Sequence, residues 1–377
     1  MRILYDHQIF SILKFGGISR YFAELYSGLS RDSSFHTEFA VRSTDNINYQ
    51  KIVLNNTSVK HSPTNALLKK IRGKLFPTTK EGFVNRRISV EKLSRQEYDL
   101  FHPTYYDPYF LEYLRGKPYV LTVFDLIHEL FPEYFTDTVI SEMRERKKLL
   151  IKNAEHIIAI SEQTKNDIIS QYSVSSDKIT TIYLASSFSK VTLQSPQSPT
   201  IPKNYLLFVG NRDIYKNFSF FIEAIADILR AKSDLYLICA GPEFIDTEKI
   251  LFSQLKIENK VLQYFPSDNE LIMLYQHAIA LVYPSKYEGF GLPLLEAFAC
   301  GCPVITSNAS SLPEVGGDAV LYFDPENASE IQAQIKQLST NEQLRNQQVD
   351  RGYDRLKMFS WDKTVEQTKS VYRKVLL

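Results

Sequence analysis

At 377 residues, with 44% hydrophobic and 23% charged residues, the chain has the size and composition of two ordinary globular domains. Lys plus Arg number 44 against 43 Asp plus Glu, and so even a balance excludes a general nucleic-acid binder, which needs a basic surface to displace counterions. The three cysteines, Cys239, Cys300 and Cys302, have no metal-type partners and read as small buried packing residues. With no leader-like segment they point to a reducing, cytoplasmic setting, and no apolar run reaches the ~18–20 residues of a membrane span.

In chain order, "MRILYD" reads as a short buried strand. The stretch "KFGGISRY" (Lys14 to Tyr21) reads as a turn leading into a helix, with Tyr21, Phe22, Leu25 and Leu29 on one face. Strand, glycine turn and helix form the opening unit of a parallel α/β sheet. The apolar runs "TEFAV", "YDLFHP", "YVLTVFD" and "HIIAIS" extend it, and "ISEQTKNDIISQY" predicts a helix capped by Ser161. Residues 186–203, with three prolines, many serines and no periodicity, read as a linker. Strand and helix patterns then alternate again from "NYLLFVG" to "PVITS", which predicts a second doubly wound domain. The expected architecture is two Rossmann-like α/β domains facing a cleft, residues 1–190 on the acceptor side and 191–360 on the donor side. The last helix, Trp361 to Leu377, carries Val365, Thr368, Val371 and Tyr372 on one face and must dock, by expectation on the first domain.

Two stretches carry chemistry. In "FVGNRDIYKN" a strand delivers Arg212 and Lys216 just before a helix, and two cations beside a helix N-terminus suit a di-anion. The alternative is a solvated loop with incidental charges. In "YEGFGLPLLEAFACG" two glutamates, Glu288 in the loop and Glu296 in what reads as the first helical turn, flank seven uncharged residues. Such carboxylates repel phosphate but accept hydrogen bonds from sugar hydroxyls, and the glycines let backbone approach a ligand closely. The alternative is a pair of acidic groups complementing the helix dipole. Phosphate recognition beside hydroxyl recognition describes a nucleotide sugar. Separately, Leu67, Leu68, Ile71 and Leu75 at helical spacing among Lys69, Lys70, Arg72 and Lys74 read as a basic amphipathic helix, and Arg86 and Arg87 follow. Residues 65–87 are the expected peripheral membrane contact, against the alternative of an ordinary solvated face.

The combination of "GGISRYF", "GNRDIYKN", "YPSKYEGFGLPLLEAFACGCPVITSNASSLPEV", "GGDAVLYFDP" and "FSWDKT" resembles the family 4 glycosyltransferases, retaining enzymes of the GT-B fold. The resemblance implies Arg212 and Lys216 as the donor diphosphate clamp, Glu296 on the ribose hydroxyls and Glu288 on the transferred sugar. It implies backbone donors at Phe290, Gly291 and Leu292, and an acceptor-side loop at Gly16 and Gly17. The family carries a histidine near the reacting sugar. The matching segment here is "LTVFDLIHELFPE", with Phe124 in that place, Asp125 kept and His128 following, so His128 is the expected catalytic histidine with Asp125 beside it. The implied reaction is metal-independent transfer with no cofactor, from GDP-mannose as first choice of donor, to a glycan or lipid-linked glycan in bacterial surface-polysaccharide (O-antigen, lipopolysaccharide) synthesis at the inner face of the cytoplasmic membrane. No Asp-x-Asp metal motif stands at an equivalent strand end. The alternatives are a GT-B epimerase or phosphorylase and a non-catalytic glycan-binding module. A dinucleotide oxidoreductase lacks its G-x-G-x-x-G spacing here.

Overall fold

The structure, a computed structural model, describes residues 1–56, 80–188 and 201–377. These form two compact units: Met1–Leu184 with Trp361–Leu377, and Ala185–Ser360.

In the first unit, strands β1 (Arg2–Tyr5), β2 (His36–Phe39) and β3 (Leu100–His102) form a parallel sheet ordered β2-β1-β3, and β4 (Val120–Val123), β5 (His156–Ala159) and β6 (Ile179–Thr181) form another ordered β4-β5-β6. A parallel bridge between Phe101 and Tyr119 joins β3 to the residue before β4. Both β4 and β5 are buried at every position, which is why they read as unbroken apolar runs and not as alternating ones. Helix Gly17–Leu29 turns Tyr21, Phe22, Leu25 and Leu29 inward. It begins within the segment read from sequence as a turn, because Gly16, at φ 148°, already serves as its N-cap.

Helix Trp361–Leu376 buries Val365, Thr368, Val371 and Tyr372 within this unit. Its Tyr372 hydroxyl is 2.8 Å from that of Tyr5 and 2.6 Å from His102 Nδ1, while His102 Nε2 lies 2.9 Å from Thr122 Oγ1. Burial pushes the His102 pKa down to about 3, so the ring stays neutral.

In the second unit, strands β7 (Asn204–Val209), β8 (Leu235–Ala240), β9 (Val261–Tyr264), β10 (Ala280–Tyr283), β11 (Val304–Ser307) and β12 (Leu321–Phe323) make one parallel sheet in the order β9-β8-β7-β10-β11-β12. Its core gathers Leu206, Phe208, Leu237 and Val282 under helix Phe218–Ala231, with Ile331, Ile335 and Leu338 of helix Ala328–Thr340. The order reverses direction between β7 and β10, and such a switch point opens a crevice at the carboxyl ends of the two strands. Cys239, Cys300 and Cys302 are buried and unpaired.

Several helices escape sequence reading. Thr138–Asn153, for instance, buries only Met143, Lys147, Leu150 and Ile151 among many charges, so its apolar period is faint. Among the described residues no helix is long and apolar enough to cross a membrane. Leu67 to Lys74 lie outside the described residues, as does most of the 186–203 linker. Arg86 and Arg87 stand on helix Lys80–Arg95.

Candidate functional site

Both stretches singled out in the sequence emerge at the β7/β10 switch point. Leaving β7, the chain passes Gly210 (φ 118°), makes a single turn over Ile214–Lys216 and enters helix Phe218–Ala231 through Asn217 in the left-handed region (φ 58°). The Asn217 amide is spent on the Pro325 carbonyl at 2.7 Å, so no side chain caps this helix. Leaving β10, the chain reaches Gly291 (φ 98°), where a Cβ would come within 2.8 Å of the Leu312 side chain. Helix Leu292–Ala299 follows with Pro293 in its first turn and again no side-chain cap. Two uncapped helix N-termini therefore end at the same pair of strands, and their amides and dipoles favour anions. The two loops are tied together by the Lys286 amide, which donates to the Tyr215 carbonyl at 2.8 Å.

Lys216 and Glu288 form a direct ion pair, Nζ to Oε1 at 2.7 Å, with each side chain only 11% exposed. Lys216 also donates to the Tyr283 hydroxyl at 3.1 Å. Burial, and then the Glu288 carboxylate, push the Tyr283 phenol well above its usual range, so it remains protonated. The Glu288 carbonyl accepts from the hydroxyls of Ser310 (2.7 Å) and Ser311 (2.8 Å), which fixes the loop beneath the side chain. The sequence places these two charges on different parts of a ligand; folding brings them into contact.

Arg212 is also engaged. Its Nε meets Glu248 Oε1 at 2.6 Å and its second guanidinium nitrogen donates to Glu248 Oε2 (3.2 Å) and the Glu243 carbonyl (2.8 Å). The guanidinium lies over the rings of Phe218 and Phe244, 5.5 and 4.8 Å from their centres. Its remaining nitrogen, Nη1, is buried and unpartnered among the described residues. The expected diphosphate clamp is therefore two cations each already held by a carboxylate. Glu248 escaped sequence reading because its visible role is to cap helix Asp246–Gln254 through the Ile245 amide at 2.8 Å. Tyr283 escaped because a strand-end tyrosine reads as core.

Glu296 stands one residue beyond the first turn in which the sequence placed it, since the helix starts at Leu292. The buried Tyr275 hydroxyl donates to its Oε2 at 3.0 Å and orients the carboxylate. Phe290 is a core side chain, its ring edge-on to Phe359 at 5.8 Å, so only its backbone can face a ligand. Leu292 is half-buried at the start of the helix.

In the first unit, Gly16 precedes helix Gly17–Leu29, and its carbonyl accepts from the Ser19 hydroxyl at 3.1 Å. Phe124 is buried edge-on against Tyr21 and Phe22, which explains a phenylalanine there. Asp125 accepts from the Ile127 amide at 3.2 Å. His128 sits on the single turn Ile127–Leu130 with its ring against Phe135 at 4.5 Å, and its Nδ1 is buried without a partner among the described residues. Burial, then the Lys147 charge, lower its pKa. The loop is braced from below by the buried Lys147–Glu129 ion pair (3.1 Å), by Lys147 donating to the Asp125 carbonyl (3.2 Å) and by the Tyr172 hydroxyl on Glu129 (3.1 Å).

Among the described residues no group of three or more His, Cys, Asp or Glu side chains is placed to hold a metal ion.

The chain matches two family profiles, "Glycosyltransferase Family 4" over residues 15–185 and "Glycosyl transferases group 1" over residues 193–355. It is 32% identical over 293 residues to the O-antigen chain mannosyltransferase B of Escherichia coli, an alignment spanning 74% of each chain. It is 31% identical over 215 residues to the O-antigen chain mannosyltransferase RfbU of Salmonella typhimurium, covering 56% of this chain and 59% of that one. Among solved structures, the sucrose-phosphate synthase of Thermosynechococcus elongatus superposes with a TM-score of 0.74 at 20% identity, covering 100% of this chain and 99% of that one. Anabaena HepE in complex with UDP and glucose superposes with a TM-score of 0.70 at 19% identity, covering 99% of each. The chain belongs to the family 4 glycosyltransferases, enzymes of the GT-B fold.

Proposed function

We propose that this glycosyltransferase moves a sugar, with retention and without a metal ion, from a nucleoside-diphosphate sugar to a glycan or lipid-linked glycan of a bacterial surface polysaccharide. GDP-mannose is the proposed donor, supported by the mannosyltransferase names of its relatives. The observation that carries the reading is the set of groups at the β7/β10 switch point: Lys216, Glu288 and Glu296 beside two uncapped helix N-termini. Breaking the bond from the anomeric carbon to phosphate builds positive charge on the sugar and negative charge on the leaving diphosphate. Lys216, Arg212 and the amides around Phe290, Gly291 and Leu292 are proposed to stabilise the latter, the task a metal ion performs elsewhere. Glu296 takes the ribose hydroxyls and Glu288 the transferred sugar. The acceptor attacks from the leaving-group face and its proton passes to the departing phosphate.

In the first unit, Gly16 and Gly17 are proposed to serve the acceptor side. Asp125 and His128 are proposed to act close to the reacting sugar; the lowered pKa of His128 suits a neutral imidazole that accepts a hydrogen bond. Work at the inner face of the cytoplasmic membrane completes the proposal.

Calorimetric titration with GDP, UDP and ADP and their sugars tests it. The wild type is expected to bind GDP-mannose. Lys216→Met should weaken nucleotide binding about 30-fold or more, the worth of ~2 kcal/mol for a charge-assisted contact. His128→Ala should lower kcat more than donor affinity. Binding of UDP sugars alone would overturn the donor, and no nucleotide binding at all would overturn the reading.

A further inference from the structure

The candidate site contains two carboxylate-held cations, and they are held differently. Glu248 grips Arg212 through both oxygens, is itself pinned by the Ile245 amide, and has a side chain 9% exposed against 4% for the arginine. That pair is permanent architecture. Glu288 holds Lys216 through one oxygen, and among the described residues no backbone amide donates to its carboxylate. Its main chain is fixed through Ser310 and Ser311, so the side chain alone is able to move.

Lys216 has three N–H donors. One is spent on Glu288, one on the Tyr283 hydroxyl, and the rings of Tyr215 and Tyr283 lie 5.1 and 5.3 Å from Nζ. A phosphate cannot gain full charge pairing with this ammonium while a carboxylate stays 2.7 Å away, because the two anions repel. If the carboxylate swings away, the Tyr283 phenol, which accepts from Lys216 at 3.1 Å and keeps its own proton, is a donor it can turn to.

We propose that Glu288 is an internal stand-in for the donor's phosphate. It holds Lys216 in the empty site, yields it to the incoming diphosphate, and is thereby released to accept a hydroxyl of the sugar. This rests on the nucleotide-sugar reading above and adds to it an order of events. Phosphate capture by Lys216 and sugar capture by Glu288 become one exchange, with Tyr283 as the positioning residue that keeps Glu288 in reach. A nucleoside diphosphate without sugar bears the cost of breaking the pair and gains nothing from the released carboxylate. The nucleotide sugar recovers it.

Calorimetric titration of the full chain with GDP and GDP-mannose, and with UDP and UDP-glucose in parallel, tests the exchange on wild type, Glu288→Gln, Lys216→Met and the double variant. Glu288→Gln should bind the nucleoside diphosphate about tenfold more tightly than wild type, within the usual range for coupled sites, yet bind the nucleotide sugar no more tightly. On the Lys216→Met background, Glu288→Gln should leave diphosphate affinity unchanged, because the gain passes through the lysine. Should Lys216→Met not fold, Lys216→Gln serves the same arm. Unchanged or weaker diphosphate binding by Glu288→Gln overturns the proposal. A gain that persists without Lys216 also overturns it, since the carboxylate would then act only as a diffuse negative field. Wild-type protein that binds none of these nucleotides removes the donor-site reading itself, and the exchange falls with it.

Discussion

The two units end their central strands in opposite ways. At the carboxyl ends of β1 and β3, Asp6 is fully buried and saturated by its own chain: Thr104 donates through its amide (2.9 Å) and hydroxyl (2.6 Å), and Gln8 through its amide (3.3 Å) and side chain (2.6 Å). At the carboxyl ends of β7 and β10, the charges are paired but, among the described residues, no side chain caps either helix N-terminus. The same parallel topology thus gives one strand end that the protein fills with its own hydrogen bonds and one, the proposed donor site, where it leaves two helix N-termini without a side-chain cap. Parallel strands deliver polar groups to the crevice; whether the crevice binds anything depends on whether those groups already satisfy each other.

The contrast is open to measurement. Asp6→Ala strands several buried donors and should cost about 3 kcal/mol, roughly a 10 °C fall in melting temperature, while leaving the shift produced by a nucleotide intact. A variant that melts normally but loses nucleotide binding would reverse the assignment of the two ends. His102, beneath the filled end, should make that region acid-sensitive. Its folded pKa of about 3 lies below its unfolded value near 6.5, so below pH 6.5 the unfolded chain takes up the proton that the fold refuses. Stability should therefore fall by about 2 kcal/mol between pH 7 and pH 5, and His102→Asn should flatten that slope in melting curves taken across the window. At the open end, Ser310→Ala removes one of two hydroxyls on the Glu288 carbonyl and should change stability by less than about 1 kcal/mol. A larger loss would mean that the open end, too, is a structural knot.

How much of this the sequence discloses follows from the range of the interactions. The strands and amphipathic helices are legible because their signal is local: Phe221, Ile222, Ile225 and Leu229 fall on one face of helix Phe218–Ala231. Ser161 is a legible cap for the same reason, its hydroxyl accepting from the Thr164 amide three residues on, at 3.0 Å. Lys216 and Glu288 are legible as residue types at strand ends, but not as partners, since 72 residues separate them and only the β7–β10 adjacency joins them. Glu248 and Arg212 are hidden likewise, 36 residues apart. The family resemblance locates the histidine's usual place at Phe124, yet only packing against Tyr21 and Phe22 shows that place to be part of the core.

The docked helix Trp361–Leu376 has a consequence for how the protein is made. The first unit is interrupted: its two sheets are complete by Leu184, but Tyr372, the partner of Tyr5 and His102, is translated only after the whole second unit. A ribosome adding 5–20 residues per second needs roughly 10 to 35 seconds to cross from 185 to 360, and for that interval the first unit waits with the seat of its last helix exposed. The later-synthesised unit is the first that can finish folding, and the amino-terminal one closes last.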